Sequence, residues 1–144
     1  MVARGAYFLY IVVSSDIAIQ IGALGILVFP HGNYVYIGSA LNSLEPRITR
    51  HILTSLGHTR TTHWHIDYLL REPTVDIEAI YYAESFDKRE CLYASQVAKH
   101  GEPVEGFGCS DCKCTSHLFR VQNDSFIEKM GLKKWAKSSL QLPV

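Results

Sequence analysis

The densest group of candidate ligands in the chain is Cys109-x-x-Cys112-x-Cys114-x-x-His117, four soft donors within nine residues. Thiolates combined with imidazole favour Zn2+ in tetrahedral coordination. The single residue between Cys112 and Cys114 is tight for one loop, and a two-plus-two zinc site normally draws its pairs from separate elements. The competing reading is a loop shaped by small, partly buried cysteines. Cys91 stands apart and reads as core. His63 and His65 have the i, i+2 spacing of a strand-borne pair that could bind metal or phosphate, a spacing that structural histidines share.

Fourteen basic and fourteen acidic side chains cancel. Phosphate contacts dominate nucleic-acid affinity, so a neutral chain is an awkward fit for that partner unless its charges are segregated. They are. Residues 47–71 hold Arg47, Arg50, Arg60 and Arg71 against the single acid Asp67, with His51, His58, His63 and His65 among them. Residues 72–111 hold nine acids against Lys88, Arg89 and Lys99, and the tail over 125–144 carries Lys129, Lys133, Lys134 and Lys137. This pattern permits a basic face despite zero net charge, and equally a set of solvated faces.

The elements that must position these groups follow from periodicity. A length of 144 residues, 47% hydrophobic and 19% charged, fits one domain over 1–144 with a real core. Residues 6–29 are mostly apolar, but Ser14, Ser15, Asp16 and Gln20 interrupt the run and Gly22 and Gly25 break it. Short strands explain it better than one spanning helix, and no cleavage site follows, so the expectation is a cytoplasmic protein with reduced thiols and no membrane partner. Strands are expected over 5–13, 17–21, 24–29 and 34–38, the last two forming a hairpin about Pro30-His31-Gly32-Asn33. Tyr34 and Tyr36 then share one face, Val35 and Ile37 the other.

Leu44 to Ser55 reads as a helix with Ser43 as cap, Pro46 in the first turn and a stripe of Ile48, Ile52 and Leu56. A short helix over 63–71 ends at Pro73. Val75, Ile77, Ala79 and Tyr81 alternate as a half-exposed strand. Asp87 to His100 reads as a helix with Asp87 and Glu90 as an acidic capping pair and Cys91, Ala94, Val97 and Ala98 inward. Residues 101–117 read as a loop whose cysteine-rich part, with the start of the next strand, spans 106–119. Leu118 to Val121 is a last strand, and 124–137 a C-terminal helix. The class is α+β, a small central antiparallel sheet flanked by helices.

In combination these pieces resemble the GIY-YIG endonuclease superfamily. Gly5-Ala6-Tyr7 resembles its first signature, Tyr36-Ile37-Gly38-Ser39-Ala40 its second, Arg47 with Arg50-His51 its catalytic helix, and Glu90 its metal-binding glutamate. The blocks HWHIDYLL (63–70), Glu90-Cys91 and GFGCSDCKCTSHLF (106–119) are similar to the Uri-type branch, which extends the resemblance over most of the chain. Two features depart from the compact pattern. The long stretch between Tyr7 and Tyr36 implies an extra hairpin, and the asparagine that follows the glutamate helix in the family has no clear match.

The resemblance implies a divalent-metal-dependent endonuclease acting on DNA more readily than RNA, in repair or in defence against foreign DNA. Glu90 would hold one Mg2+ or Mn2+, which needs only one or two carboxylates. Arg47 would fork onto phosphate oxygens, Tyr7 would be the general base, and Tyr36 would place water or phosphate. His51 would relay a proton, while Gly38, Ser39, Arg50, His63 and His65 would face the substrate. Without it, the tyrosines are ordinary strand aromatics and Glu90 a capping residue. A homodimer or a repair protein is the expected protein partner. The alternatives are a nucleic-acid-binding module without turnover, and a zinc-stabilised interaction domain.

Overall fold

A computed structural model describes residues 3–59, 61–108 and 114–135. The order is β1 (Gly5–Val13), β2 (Ile17–Gln20), a 3-10 turn (Gly22–Leu24), β3 (Ile26–Phe29), β4 (Gly32–Ala40), α1 (Leu44–Ser55), α2 (His65–Leu70), β5 (Val75–Glu84), α3 (Glu90–Val97), β6 (Gly101–Pro103), β7 (Leu118–Val121), α4 (Ser125–Lys129) and β8 (Lys133–Lys134). The main sheet has six strands in the order β6-β7-β4-β1-β5-β8, every pairing antiparallel, while β2 and β3 form a separate hairpin. This is the expected α+β sheet flanked by helices, with an extra hairpin between Tyr7 and Tyr36. That hairpin is β2–β3, and the expected pairing of 24–29 with 34–38 about residues 30–33 is not formed, because β4 is taken by β1 and β7.

Both faces of the sheet are covered, which is why GAYFLYIVV reads as a continuous apolar run. Tyr7, Leu9 and Ile11 of β1 join Tyr34 and Tyr36 of β4 beneath Leu44 and Ile48 of α1 and Ile66, Leu69 and Leu70 of α2. Phe8 and Tyr10 join Val35 and Ile37 on the opposite face, against Ala94 and Val97 of α3 and Phe126 and Ile127 of α4. The period of two thus feeds two cores from one strand pair.

Several local expectations are corrected. The β1–β5 register runs Tyr10↔Ala79 and then Ile11↔Ile77, so Glu78 is an extra residue in a bulge. A one-residue insertion flips the faces. Val75 and Ile77 therefore do not share a face with Ala79 and Tyr81, and the half-exposed alternation holds over 75–78 but gives way to the buried run 79–81. Leu56 is 57% exposed, because Gly57 follows it and the helix has ended. Ser43 makes no side-chain cap bond. The third helix starts at Glu90, since Asp87 is held in a turn by Ser85 and Arg89 instead of capping it, and Ala98 is exposed. Residues 101–103 form an edge strand against β7, and the C-terminal helix stops at Lys129 before β8 pairs with β5.

One consequence of this topology positions the site. The pairing of β4 with β7 ends at Tyr36↔Leu118, and the next bond is Ile37 N–H to the His117 carbonyl. Beyond it β7 no longer accompanies β4, and the Gly38–Ala40 end of β4 becomes a wall between the α1 side and the α3 side of the sheet.

Candidate active site

A cleft of about 440 Å³ opens at that wall, lined among others by Tyr7, Tyr36, Ser39, Arg47, Trp64 and Glu90. Tyr7 lies across from Gly38 in the β1–β4 register. A Cβ on Gly38 would come within 2.5 Å of Tyr7 Cζ and Oη, so the phenol ring lies directly over the glycine. The Tyr7 and Tyr36 rings are 6.4 Å apart. Behind them, His51 projects from α1 one turn after Arg47, and its Nε2 is 2.7 Å from Tyr7 Oη. His51 is fully buried and packs against the Tyr7, Tyr36 and Trp64 rings.

Burial decides the protonation of this layer. It pushes the Tyr7 phenol up to about 12, with the Arg47 guanidinium drawing it partly back. It raises Tyr36 well above its ordinary value, and it drives His51 down to about 3. All three are neutral near pH 7. His51 Nδ1 is buried with no hydrogen-bond partner among the described residues. A proton on Nδ1 would bury an unpaired N–H, whereas a proton on Nε2 leaves only a lone pair unsatisfied, the cheaper of the two. On this argument Nε2–H donates to Tyr7 Oη, which leaves the phenol proton available to the cleft.

Ser39 joins the two sides of the site. Its side chain points toward α3, where its hydroxyl donates to the Glu90 carboxylate, and its carbonyl accepts from an Arg47 N–H at 3.0 Å. Alternation on β4 explains this, since Ser39 shares the face of Val35 and Ile37, and Gly38 the face of Tyr36. Arg47 lies 4.5 Å over the Trp64 ring, a cation–π contact that fixes the guanidinium plane. A broader depression of about 610 Å³ runs along α1 past Glu45, Thr49 and Arg50, away from the tyrosines.

The structure therefore brings Tyr7, Tyr36, Gly38, Ser39, Arg47 and Glu90 to one cleft. Other expected site residues have different placements. His51 does not line the cleft and cannot touch a substrate there, because it sits behind Tyr7. Arg50 gives two N–H groups to the Asp67 carboxylate, at 3.0 and 3.2 Å, and also lies over Trp64. Burial alone would raise the Asp67 carboxyl. Arg50 and the His63 and Trp64 N–H groups instead hold it below its ordinary range. His63 is exposed and contributes its backbone N–H to Asp67. His65 Nδ1 accepts from Gly108 N–H at 2.8 Å, so this side chain latches the loop bordering the cleft, and burial lowers its basicity.

The cysteine cluster changes membership. Cys109 and Cys112 lie outside the described residues. Cys91, expected in the core, is half-buried and meets Cys114 and His117, with all three donor atoms within 4.8 Å of one another, a group that could hold a metal ion. Its place three residues before Ala94 and six before Val97 disguised it as part of their stripe; only the fold brings it to a loop 23 residues away. Trp64, Asp67 and Lys88 were also missed as members of the site region. The signal for Asp67 was its isolation among four arginines, and for Trp64 the two arginines at i and i+3 on α1 that need a flat apolar surface.

Fold and site define a small α+β domain with an arginine- and tyrosine-walled cleft that carries one carboxylate, beside a group of thiols and imidazole. The chain belongs to the family described as Domain of unknown function DUF123, whose profile matches residues 6–138. No curated protein and no solved structure matches the chain.

Proposed function

We propose that this chain is a divalent-metal-dependent endonuclease that hydrolyses nucleic-acid phosphodiesters, with DNA favoured over RNA, and that it is a Uri-type relative of the GIY-YIG nucleases. One observation carries this reading. Tyr7, Tyr36, Arg47 and Glu90, spread over more than eighty positions of sequence, line a single cleft.

The residues fit a hard divalent ion. Glu90 offers carboxylate oxygens at the cleft, and Mg2+ or Mn2+ takes one or two such groups while keeping most of its waters. When bound, such an ion supplies charge neutralisation on the phosphoryl group and on the departing oxygen. Arg47 spends one N–H on Ser39 and keeps further donors for phosphate oxygens, its plane set by Trp64. Lys88 lines the same cleft and adds positive charge. In this reading Tyr7, once ionised, takes a proton from an attacking water. Its resting value of about 12 makes the phenolate roughly one part in 10⁵ at pH 7, so ionisation costs about 7 kcal/mol before substrate arrives. That cost already includes the pull of Arg47, and the His51 Nε2–H stabilises the phenolate oxygen, which makes His51 a positioning residue.

The test is nicking of supercoiled plasmid with Mg2+ or Mn2+ by wild type, Arg47→Ala and Glu90→Gln. Wild-type nicking with a loss of about 10²-fold or more in each variant is expected, the size of removing one transition-state charge contact. Equal activity in all three preparations would identify a contaminant. A second reading, nucleic-acid binding without turnover, is favoured by the buried and fully neutral state of Tyr7, Tyr36 and His51. Plasmid retention in a gel-shift assay without nicking under either metal would select it.

A further inference from the structure

The geometry points to a second metal site, Zn2+ held by Cys91 Sγ, Cys114 Sγ and His117 Nε2, whose role is to fix the first turn of α3 and so the position of Glu90. The donors come from two separate parts of the chain, as is normal for a zinc site. Cys91 is the second residue of α3. Cys114 and His117 sit just before β7. Cys91 Sγ is 2.6 Å from Cys114 Sγ and 3.6 Å from His117 Nε2, and Cys114 Sγ is 2.8 Å from His117 Nε2. Zinc bonds of about 2.3 Å to sulfur and 2.0–2.1 Å to nitrogen at tetrahedral angles put S and N about 3.5 Å apart. Cys91 and His117 already stand at that separation, and a shift of Cys114 by about 1 Å brings the three donors to tetrahedral spacing, with the fourth position left to a further ligand.

The backbone around the site is fixed where the ligands need it. His117 N–H donates to the Phe107 carbonyl at 2.8 Å, and its own carbonyl accepts from Ile37 N–H at 2.9 Å, so the imidazole is carried by the edge of β4. At the α3 end the N-cap residue Arg89 makes no side-chain capping bond, and the first residue is held by the Ser39 hydroxyl on the Glu90 carboxylate. A metal bond through Cys91 would anchor that end one residue from Glu90. Ligand chemistry separates the two ions. Thiolate and imidazole select zinc, and the lone carboxylate selects a hard cation. The site does not depend on the nuclease reading, and its test does not use activity.

The test is elemental analysis of the full chain, purified under reducing conditions with its affinity tag removed. Wild type should carry one zinc per chain. Cys91→Ser and His117→Ala should lose it, and Glu90→Gln should keep it, since Glu90 is not a ligand here. Replacing zinc by Co2+ in wild type should give the thiolate-to-cobalt charge-transfer absorption, a readout that stands even if the ligand variants fail to fold. Zinc-free wild type that also gives no such absorption would overturn the proposal. So would full zinc in Cys91→Ser, or recovery of Cys91 and Cys114 as a disulfide after thiol trapping in fresh lysate.

Discussion

Gly38→Ala is the substitution whose outcome the structure constrains most tightly. Gly38 has an ordinary strand backbone, outside the positive-φ glycines. On conformational entropy alone, alanine there would stabilise by about 0.4–1 kcal/mol through the unfolded state. Packing reverses the sign. The new Cβ would lie 2.5 Å from Tyr7 Cζ and Oη and 2.9 Å from Cε1. Carbon contacts are comfortable at about 3.5–4.0 Å, so the ring must withdraw by about 1 Å. It has little room, being 1% exposed and flanked by the Tyr36 and His51 rings.

Forcing that shift costs about 1–3 kcal/mol as overpacking. Losing the 2.7 Å bond to His51 in a buried layer adds about 1–3 kcal/mol. The net loss is about 2–5 kcal/mol, large against the 5–15 kcal/mol that hold a typical domain together. Urea unfolding of wild type and variant reads it directly. A double-mutant cycle supplies the control, because Tyr7→Leu deletes Cζ and Oη. In that background Gly38→Ala should be close to neutral. A loss below about 0.5 kcal/mol in the single variant, or the same loss in the Tyr7→Leu background, would refute the claim that Gly38 is the seat of the Tyr7 ring.

Two further predictions concern acid. His51 folds with a value near 3 against about 6.5 in the unfolded chain, so between those values the unfolded state binds the extra proton. Stability is complete above about pH 6.5 and falls as pH drops toward 3, by up to about 1.4 kcal/mol per pH unit; urea midpoints measured from pH 7 to 4 should fall, and His51→Gln should flatten the fall, an unchanged slope counting against the assignment. Asp67 acts in the same sense, its folded value also lying below the unfolded one. The stability it brings is present above about pH 3.9 and is lost as pH falls through the lower folded value. Asp67→Asn at pH 7 should cost about 2–4 kcal/mol, since it uncouples a carboxylate that is itself fully buried from Arg50 and from two backbone N–H groups. A midpoint within error of wild type would show that the network carries no stability.

The elements with strong periodicity were legible before the structure. Strands β1 and β4 and helix α1 announce themselves because each carries enough apolar side chains to fill a defined face. The two-core arrangement was implicit in Tyr34 and Tyr36 alternating with Val35 and Ile37. What was hidden depends on tertiary pairing. Strands β6 and β8 are three and two residues long and contain Gly-Glu-Pro and Lys-Lys, sequences with no strand preference of their own. They exist because β7 and β5 offer them an edge. The Glu78 bulge is likewise invisible in Val75-Asp76-Ile77-Glu78-Ala79, which alternates without a break. Asp87 and Glu90 have the spacing of a capping box, but the Ser85 and Arg89 side chains claim the aspartate first. At the site, residue types pointed to the cleft, whereas depth did not. His51 and Arg50 sit one and three residues from recognisable neighbours, and nothing local says that one lies behind a tyrosine and the other is already engaged by Asp67.

That depth shapes the chemistry proposed for the cleft. A phosphate entering beside Tyr7 brings negative charge, which would raise the phenol further and make it a poorer base. The cleft answers with groups that do not titrate near neutrality. Arg47 is permanently charged and its plane is fixed by Trp64 and by the Ser39 carbonyl, so in the proposed reaction it would meet a phosphate without reorganising. Ser39 simultaneously holds the Glu90 carboxylate from the opposite face of β4. Charge of both signs is thus anchored to one strand residue, close to a phenol that stays protonated until compensating positive charge is complete. An aromatic layer sealed around His51 keeps water from screening that balance, since Coulomb effects strengthen as the local dielectric falls. The burial that makes Tyr7 inert in the resting protein is then the same burial that would let Arg47 and a bound cation act strongly on it.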